Sequence, residues 1–182
     1  MPEDALVMAM IPGRDGKGEQ WMELERGRLS PEAFWQEACI FAYEQYGVRV
    51  DPQLVIQQFI SVEVPPSLLS LLQRLHDCEF PMCIVTNGFR PADGRFASLD
   101  QLRTVVSDII ESYAVGLRKP EQGIFDLALN HLQCSRSDVL YLDDTAWFVS
   151  RARLQKIQAI CVTDADDTTA ILKILASQIQ SK

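Results

Sequence analysis

Residues 139–144 read Val139-Leu140-Tyr141-Leu142-Asp143-Asp144: four strand-forming, largely apolar residues followed at once by two carboxylates. An apolar run this short suits a strand covered on both faces, the kind found in parallel sheets. The same form recurs upstream, where Met82-Cys83-Ile84-Val85 feeds the polar loop Thr86-Asn87-Gly88. It recurs downstream over Ala159 to Val162, and a further short strand is expected near Ile109 to Tyr113. Helical spacing fills the intervals: Ser67 to Asp77, Leu99 to Val106, Pro120 to Leu132, Ala146 to Gln155 and Thr168 to Gln180. Strands alternating with helices predict an α/β domain with a doubly wound, mostly parallel sheet. In such sheets chemistry sits at the carboxyl ends of the strands. The loops expected there hold Thr86-Asn87-Gly88, Lys119 and Asp143-Asp144.

No such alternation is visible before about residue 80. Ala5 to Ile11 reads as a short helix, Pro12 to Gly18 as a turn-rich loop, and Trp21 to Glu25 as a second short helix. Ser30-Pro31-Glu32 is a helix start: a capping hydroxyl, a proline at the first turn, then an acid near the positive helix end. Phe34, Trp35, Cys39, Phe41 and Ala42 follow at helical spacing, Gly47 ends the helix, and Asp51-Pro52 opens another. Trp21 and Trp35 read as core residues. The pattern changes at Pro65, dividing a helical segment, 1–64, from an α/β segment, 65–182.

With 182 residues and 47% hydrophobic composition the chain has enough apolar material for an ordinary core, which argues against disorder. The net charge of −8 disfavours a nucleic-acid binder, which needs a basic face. A phosphorylated substrate stays compatible, because a bound cation reverses the local sign. The five cysteines form no CxxC pair, so structural zinc and redox motifs are not indicated. Cys83 and Cys161 read as small core residues, and reduced thiols suggest a cytosol-like compartment. No stretch suits a membrane span, and Met1 to Asp4 is polar and acidic, unlike a targeting peptide. The sequence is silent on oligomeric state.

Each candidate loop has an ordinary explanation beside a chemical one. Asp143 and Asp144 repel unless a cation or partner offsets them, and magnesium with oxygen ligands is an economical partner. Asp is equally at home as a helix N-cap. Thr86-Asn87-Gly88 can cradle an anion through hydroxyl and N–H donors, or be a plain Asn-Gly turn. Lys119, before Pro120, can neutralise a carboxylate and a phosphoryl group together, or lie solvated on the surface.

The order of these features carries a resemblance. Cys83-Ile84-Val85-Thr86-Asn87, GLRKPEQGIF over Gly116 to Phe125, and VLYLDD over Val139 to Asp144 resemble the second, third and fourth motifs of haloacid dehalogenase-like (HAD) hydrolases. The similarity is greatest to the phosphatase-like domain of soluble epoxide hydrolases and to a domain fused to acyl-CoA dehydrogenase-like proteins. The helical segment, including GKGEQWMELERGRLSPEAFW, resembles that subgroup's cap, making 1–64 a cap subdomain and 65–182 a HAD-like core. The resemblance implies a magnesium-dependent phosphatase acting on a small phosphorylated substrate. It implies that Thr86 hydrogen-bonds a phosphoryl oxygen and Asn87 helps hold it. Lys119 would steady the transferring group, Asp144 would be the direct magnesium ligand, and Asp143 would support it.

The family's first motif, a strand ending in Asp-x-Asp that supplies the nucleophile, has no counterpart before the cap. Asp4 and Asp15 do not follow an apolar strand, and no nucleophile is assigned. The expectation is a truncated or nucleophile-less chain, inactive alone, in which covalent catalysis lacks its attacking group. That strand is central in the family's sheet. Each buried unpaired backbone group left on its neighbours costs roughly 1–3 kcal/mol, against a typical net stability of about 5–15 kcal/mol. Phe148 stands where the family often has Asn, and Glu121-Gln122 where Asp-Pro is common. A catalytically dead HAD-like binding module is the alternative reading.

Overall fold

The computed structural model describes residues 19–60, 63–90, 96–163 and 165–179. The helix expected at Ala5–Ile11, the loop at Pro12–Gly18, and both Asp4 and Asp15 lie outside the described residues. The elements run α1 (Glu19–Glu25), α2 (Pro31–Tyr46), α3 (Pro52–Ile60), α4 (Pro66–Asp77), β1 (Cys83–Thr86), α5 (Ala97–Leu102) and β2 (Asp108–Glu111). They continue α6 (Ser112–Val115), α7 (Gln122–Leu132), β3 (Leu140–Asp143), α8 (Ala146–Leu154), β4 (Gln158–Cys161) and α9 (Ala165–Ile179). By their internal contacts these divide into two compact units. One holds the described residues within 1–62, 86–98 and 111–118, the other those within 63–85, 99–110 and 119–182.

The first unit is helical, and its capping signals act as the sequence suggests. The Ser30 hydroxyl oxygen accepts from the Ala33 N–H at 3.1 Å, and Gly47, at φ 69°, donates its N–H to the Tyr43 carbonyl. Leu24, Phe34, Trp35, Ala38, Ala42, Val55, Ile56 and Phe89 form its core, with Trp21 packed against them. The Phe34 and Trp35 rings meet edge to face at 5.1 Å, and Trp35 is wholly buried. Burying a side chain such as Phe34 contributes about 1.5–3 kcal/mol. After α1 the chain turns at Gly27, φ 69°, where an added Cβ would collide with the Tyr113 carbonyl. Only glycine allows both the turn and that approach.

The second unit carries the strands. β3 and β4 pair in parallel, Leu140 opposite Gln158 through Asp143 opposite Cys161, with α8 as the crossover. Arg153 near the end of α8 donates to the Ala159 carbonyl through Nε and Nη2, at 3.0 and 2.7 Å. β1 pairs with β2, and Leu71, Leu75 and Leu172 of α4 and α9 bury a cluster that also takes in Met82 and Leu142. This is the expected α/β architecture in two pieces. Among the described residues no ladder joins β1 to β3, so two two-stranded sheets stand where one continuous sheet was expected.

Three expectations are corrected. The strands read as buried are mostly half-buried or exposed, with Leu140 at 37% and Ile160 at 38% exposure, because a two-stranded sheet covers less than a wide one. Cys161 is exposed rather than core, being the last residue of β4. The helix expected over Leu99 to Val106 is α5, ending at Leu102. Thr104 and Val105 bond back three residues instead of four, the tighter geometry in which helices end, and β-branched Val105 and Val106 turn into a core with Ile109.

Candidate functional site

Lys119, Asp143 and Asp144 belong to the second unit, and Thr86 and Asn87 to the first. Lys119 Nζ donates to Asp143 Oδ2 at 2.7 Å, and both side chains are largely buried. The Tyr141 hydroxyl donates to the same Oδ2, and the Thr145 backbone N–H donates to Oδ1 at 2.8 Å. Asp143 thus accepts from three donors and uses most of the capacity of a carboxylate. Burial alone would push its carboxyl up. The Lys119 charge and hydrogen bond, followed by those from Tyr141 and Thr145, outweigh that and hold it below the usual carboxylate range. Tyr141 is driven the other way, first by burial and then by its bond to Asp143, so its phenol stays protonated.

The local sequence builds this arrangement. Tyr141 and Asp143 are two apart on β3 and therefore share a face. Lys119 arrives from the loop between α6 and α7, whose Pro120 carbonyl accepts from Gln155 Nε2 at 3.1 Å. Two rings flank the ammonium: Lys119 Nζ lies 5.9 Å from the Tyr141 centroid and 5.3 Å from that of Phe148. At such distances aromatic faces favour a cation.

Asp144 differs in kind from its neighbour. It is exposed, and its Oδ1 accepts from Thr145 Oγ1 at 3.4 Å. Thr145, not either aspartate, is the N-cap of α8, so the capping explanation of the acidic pair does not describe this turn. Both aspartates offer only hard oxygen donors. Among the described residues no cluster of three or more His, Cys, Asp or Glu side chains forms a metal cage. Magnesium is commonly held by one or two carboxylates with water and phosphate completing the shell, so an exposed Asp144 beside a saturated Asp143 fits that ion.

Thr86 closes β1, and the loop after it is tied down by a residue that pattern reading passed over. Gly88 N–H donates to Ser112 Oγ at 3.0 Å, Ser112 Oγ lies 3.3 Å from the Gly88 carbonyl, and Ser112 is fully buried. Its place directly after β2, two residues beyond Ile110, was the available signal. Tyr141 was missed too, counted among the apolar residues of its strand, although its spacing from Asp143 puts its hydroxyl on the acid's face. Cys83 offers no substitute nucleophile. Burial, then Asp108 and Cys134, pushes its thiol up to about 12.

Comparison with known proteins identifies the family and the fold. The family profile of haloacid dehalogenase-like hydrolases matches residues 19–153. Bifunctional epoxide hydrolase 2 of Sus scrofa is 26% identical over 85% of this chain and 29% of its own length. Acyl-CoA dehydrogenase family member 10 of Mus musculus is 26% identical over 79% of this chain and 14% of its own. The chain spans less than a third of the length of these relatives. Among solved structures, a HAD-like hydrolase from Porphyromonas gingivalis superposes with a TM-score of 0.67 at 20% identity, covering 94% of this chain and 84% of that one. A HAD family enzyme from Bacteroides thetaiotaomicron, solved with magnesium and inorganic phosphate, superposes at 0.58 with 17% identity, covering 87% and 83%. Among the described residues no helix is long and apolar enough to cross a membrane.

Proposed function

This chain belongs to the haloacid dehalogenase-like hydrolase family, and we propose that its site serves magnesium-dependent hydrolysis of a small phosphate ester. The observation that carries the reading is the Lys119–Asp143 pair with Asp144 exposed beside it. A cation and a hard-oxygen ligand side by side suit a phosphoryl group, which needs charge neutralised rather than a bond polarised by an apolar pocket. Asp144 is the residue to hold magnesium, and magnesium when bound supplies positive charge against the phosphoryl oxygens. Lys119 adds a second positive charge, and Asp143 keeps its ammonium oriented. For Thr86 and Asn87, in the first unit, the family resemblance alone supplies a role, hydrogen bonds to phosphoryl oxygens.

Covalent catalysis also needs a carboxylate nucleophile, which no residue of this chain is assigned. The 182-residue polypeptide alone is therefore expected to hold phosphate without turning over its esters. The test is hydrolysis of a generic aryl phosphate by a version extended upstream with an apolar strand ending in Asp-x-Asp. Magnesium-dependent turnover, lost in Lys119→Met, supports the reading. A folded, extended version with no turnover overturns it.

Phe148 favours a second reading, a nucleophile-less binding module. Its ring, 5.3 Å from Lys119 Nζ, occupies the sequence position at which the family often places a polar Asn. Tight phosphate binding with no turnover in the extended version would select it.

A further inference from the structure

Tyr141 has no part in the roles assigned so far, yet both its ring and its hydroxyl are held beside the acidic pair. Its ring packs edge to face on Phe125 of α7, centroids 5.3 Å apart at 83°, and Phe125 is 3% exposed. Its hydroxyl donates to Asp143 Oδ2, the oxygen that also accepts from Lys119 Nζ. The opposite oxygen is held by the Thr145 backbone. We infer that Tyr141 is a positioning residue: its ring is fixed by Phe125, and its hydroxyl locks the Asp143 carboxylate so that the Lys119 ammonium has one seat, between that carboxylate and the Phe148 ring.

A lysine ends in a flexible four-carbon stem whose ammonium can rotate and wander, and a single carboxylate oxygen fixes its position poorly. Asp143 would itself rotate about its terminal torsion, which is broad and two-fold. With Tyr141 on one oxygen and Thr145 on the other, that rotation is stopped by donors other than the lysine itself. The Tyr141 and Phe148 rings then limit the ammonium laterally and keep bulk water from competing for it. A phenylalanine at 141 would keep the packing on Phe125 and lose the lock. Phosphoryl transfer depends on placing charge in advance, so the lock matters to the reaction as well as to the fold. That consequence rests on the phosphatase reading; the seating of Lys119 does not.

The experiment is 1H–15N NMR of the lysine ammonium groups in the intact chain, with Lys119→Arg to assign the signal. The chain has five lysines, so the other four serve as internal controls. A seated Lys119 gives a slowly exchanging, resolved ammonium correlation. In Tyr141→Phe that correlation is expected to broaden beyond detection while the backbone spectrum outside residues 119 and 141–145 stays unchanged. A Lys119 correlation of equal width and position in Tyr141→Phe would overturn the inference. If Tyr141→Phe fails to fold, the parent chain decides. A slowly exchanging Tyr141 hydroxyl proton with a cross-peak to the Lys119 ammonium supports the lock, and a hydroxyl in rapid exchange with water overturns it. In the strand-extended version, Tyr141→Phe is expected to lower kcat about tenfold and leave KM nearly unchanged, the loss of one charge-assisted hydrogen bond. A positive NMR result with an inactive extended parent removes the phosphatase reading and leaves the positioning role standing.

Discussion

Arg118 and Lys119 are consecutive, both basic and both largely buried, yet their ion pairs differ. Arg118 Nε bonds Glu25 Oε2 within the first unit, with both side chains 6% exposed. Lys119 bonds Asp143 within the second unit, next to exposed Asp144 and under two aromatic rings. Burial and charge pairing alone therefore do not mark a functional group. Context separates them: the Arg118–Glu25 pair ties α1 to the loop before Lys119, whereas the Lys119–Asp143 pair adjoins the exposed carboxylate of Asp144, the proposed magnesium ligand.

Breaking the first pair has the largest expected effect. Glu25→Ala leaves a buried guanidinium without its carboxylate and is expected to cost about 3–5 kcal/mol in urea denaturation. Replacing both partners, Glu25→Leu with Arg118→Met, should recover most of that loss, since apolar pairs often substitute for buried ion pairs without penalty. A loss that persists in the double variant would assign the pair a role beyond stability and weaken the contrast.

Breaking the second pair is expected to cost less in stability and more in ligand response. Asp143→Asn should lose about 1–3 kcal/mol at neutral pH, because the amide oxygen still accepts hydrogen bonds. The pH dependence follows from the direction of the shift. Asp143 is held below the usual carboxylate range, so its contribution is present above that range and fades as pH falls through its lowered folded-state value. The stability gap between parent and Asp143→Asn should therefore be widest near neutrality and close below about pH 4. A gap that widens on acidification would contradict the assigned environment.

Asp144→Asn should be the quietest of all in denaturation, within about 0.5 kcal/mol, since the residue is exposed and carries one long hydrogen bond. Its effect should appear only when magnesium is added. A destabilisation as large as that of Asp143→Asn would mean that the two acids form one structural unit.

The parts of the candidate site can be picked out in the sequence because they are punctuated. Ser30-Pro31 and Gly47 bound a helix by local chemistry, and VLYLDD joins an apolar strand to charge within six residues. What it hid depends on side chains meeting across distance. Tyr141 was counted as one more apolar residue, and its hydroxyl gained meaning only when period-two alternation put it beside Asp143. Glu25 and Arg118 are 93 positions apart, and nothing local pairs them. Cys161 lies in an apolar run that the fold leaves uncovered, because β3 and β4 pair only with each other among the described residues.

The most direct test of the proposed site is a magnesium titration of the intact chain, with inorganic phosphate present, followed by backbone 1H–15N NMR beside Asp144→Asn. The account predicts saturable shifts confined in the second unit to residues around Lys119 and 143–146, strengthened by phosphate and abolished in Asp144→Asn. Equal responses from the parent and Asp144→Asn would contradict it and leave Asp143-Asp144 as an ordinary strand-to-helix turn.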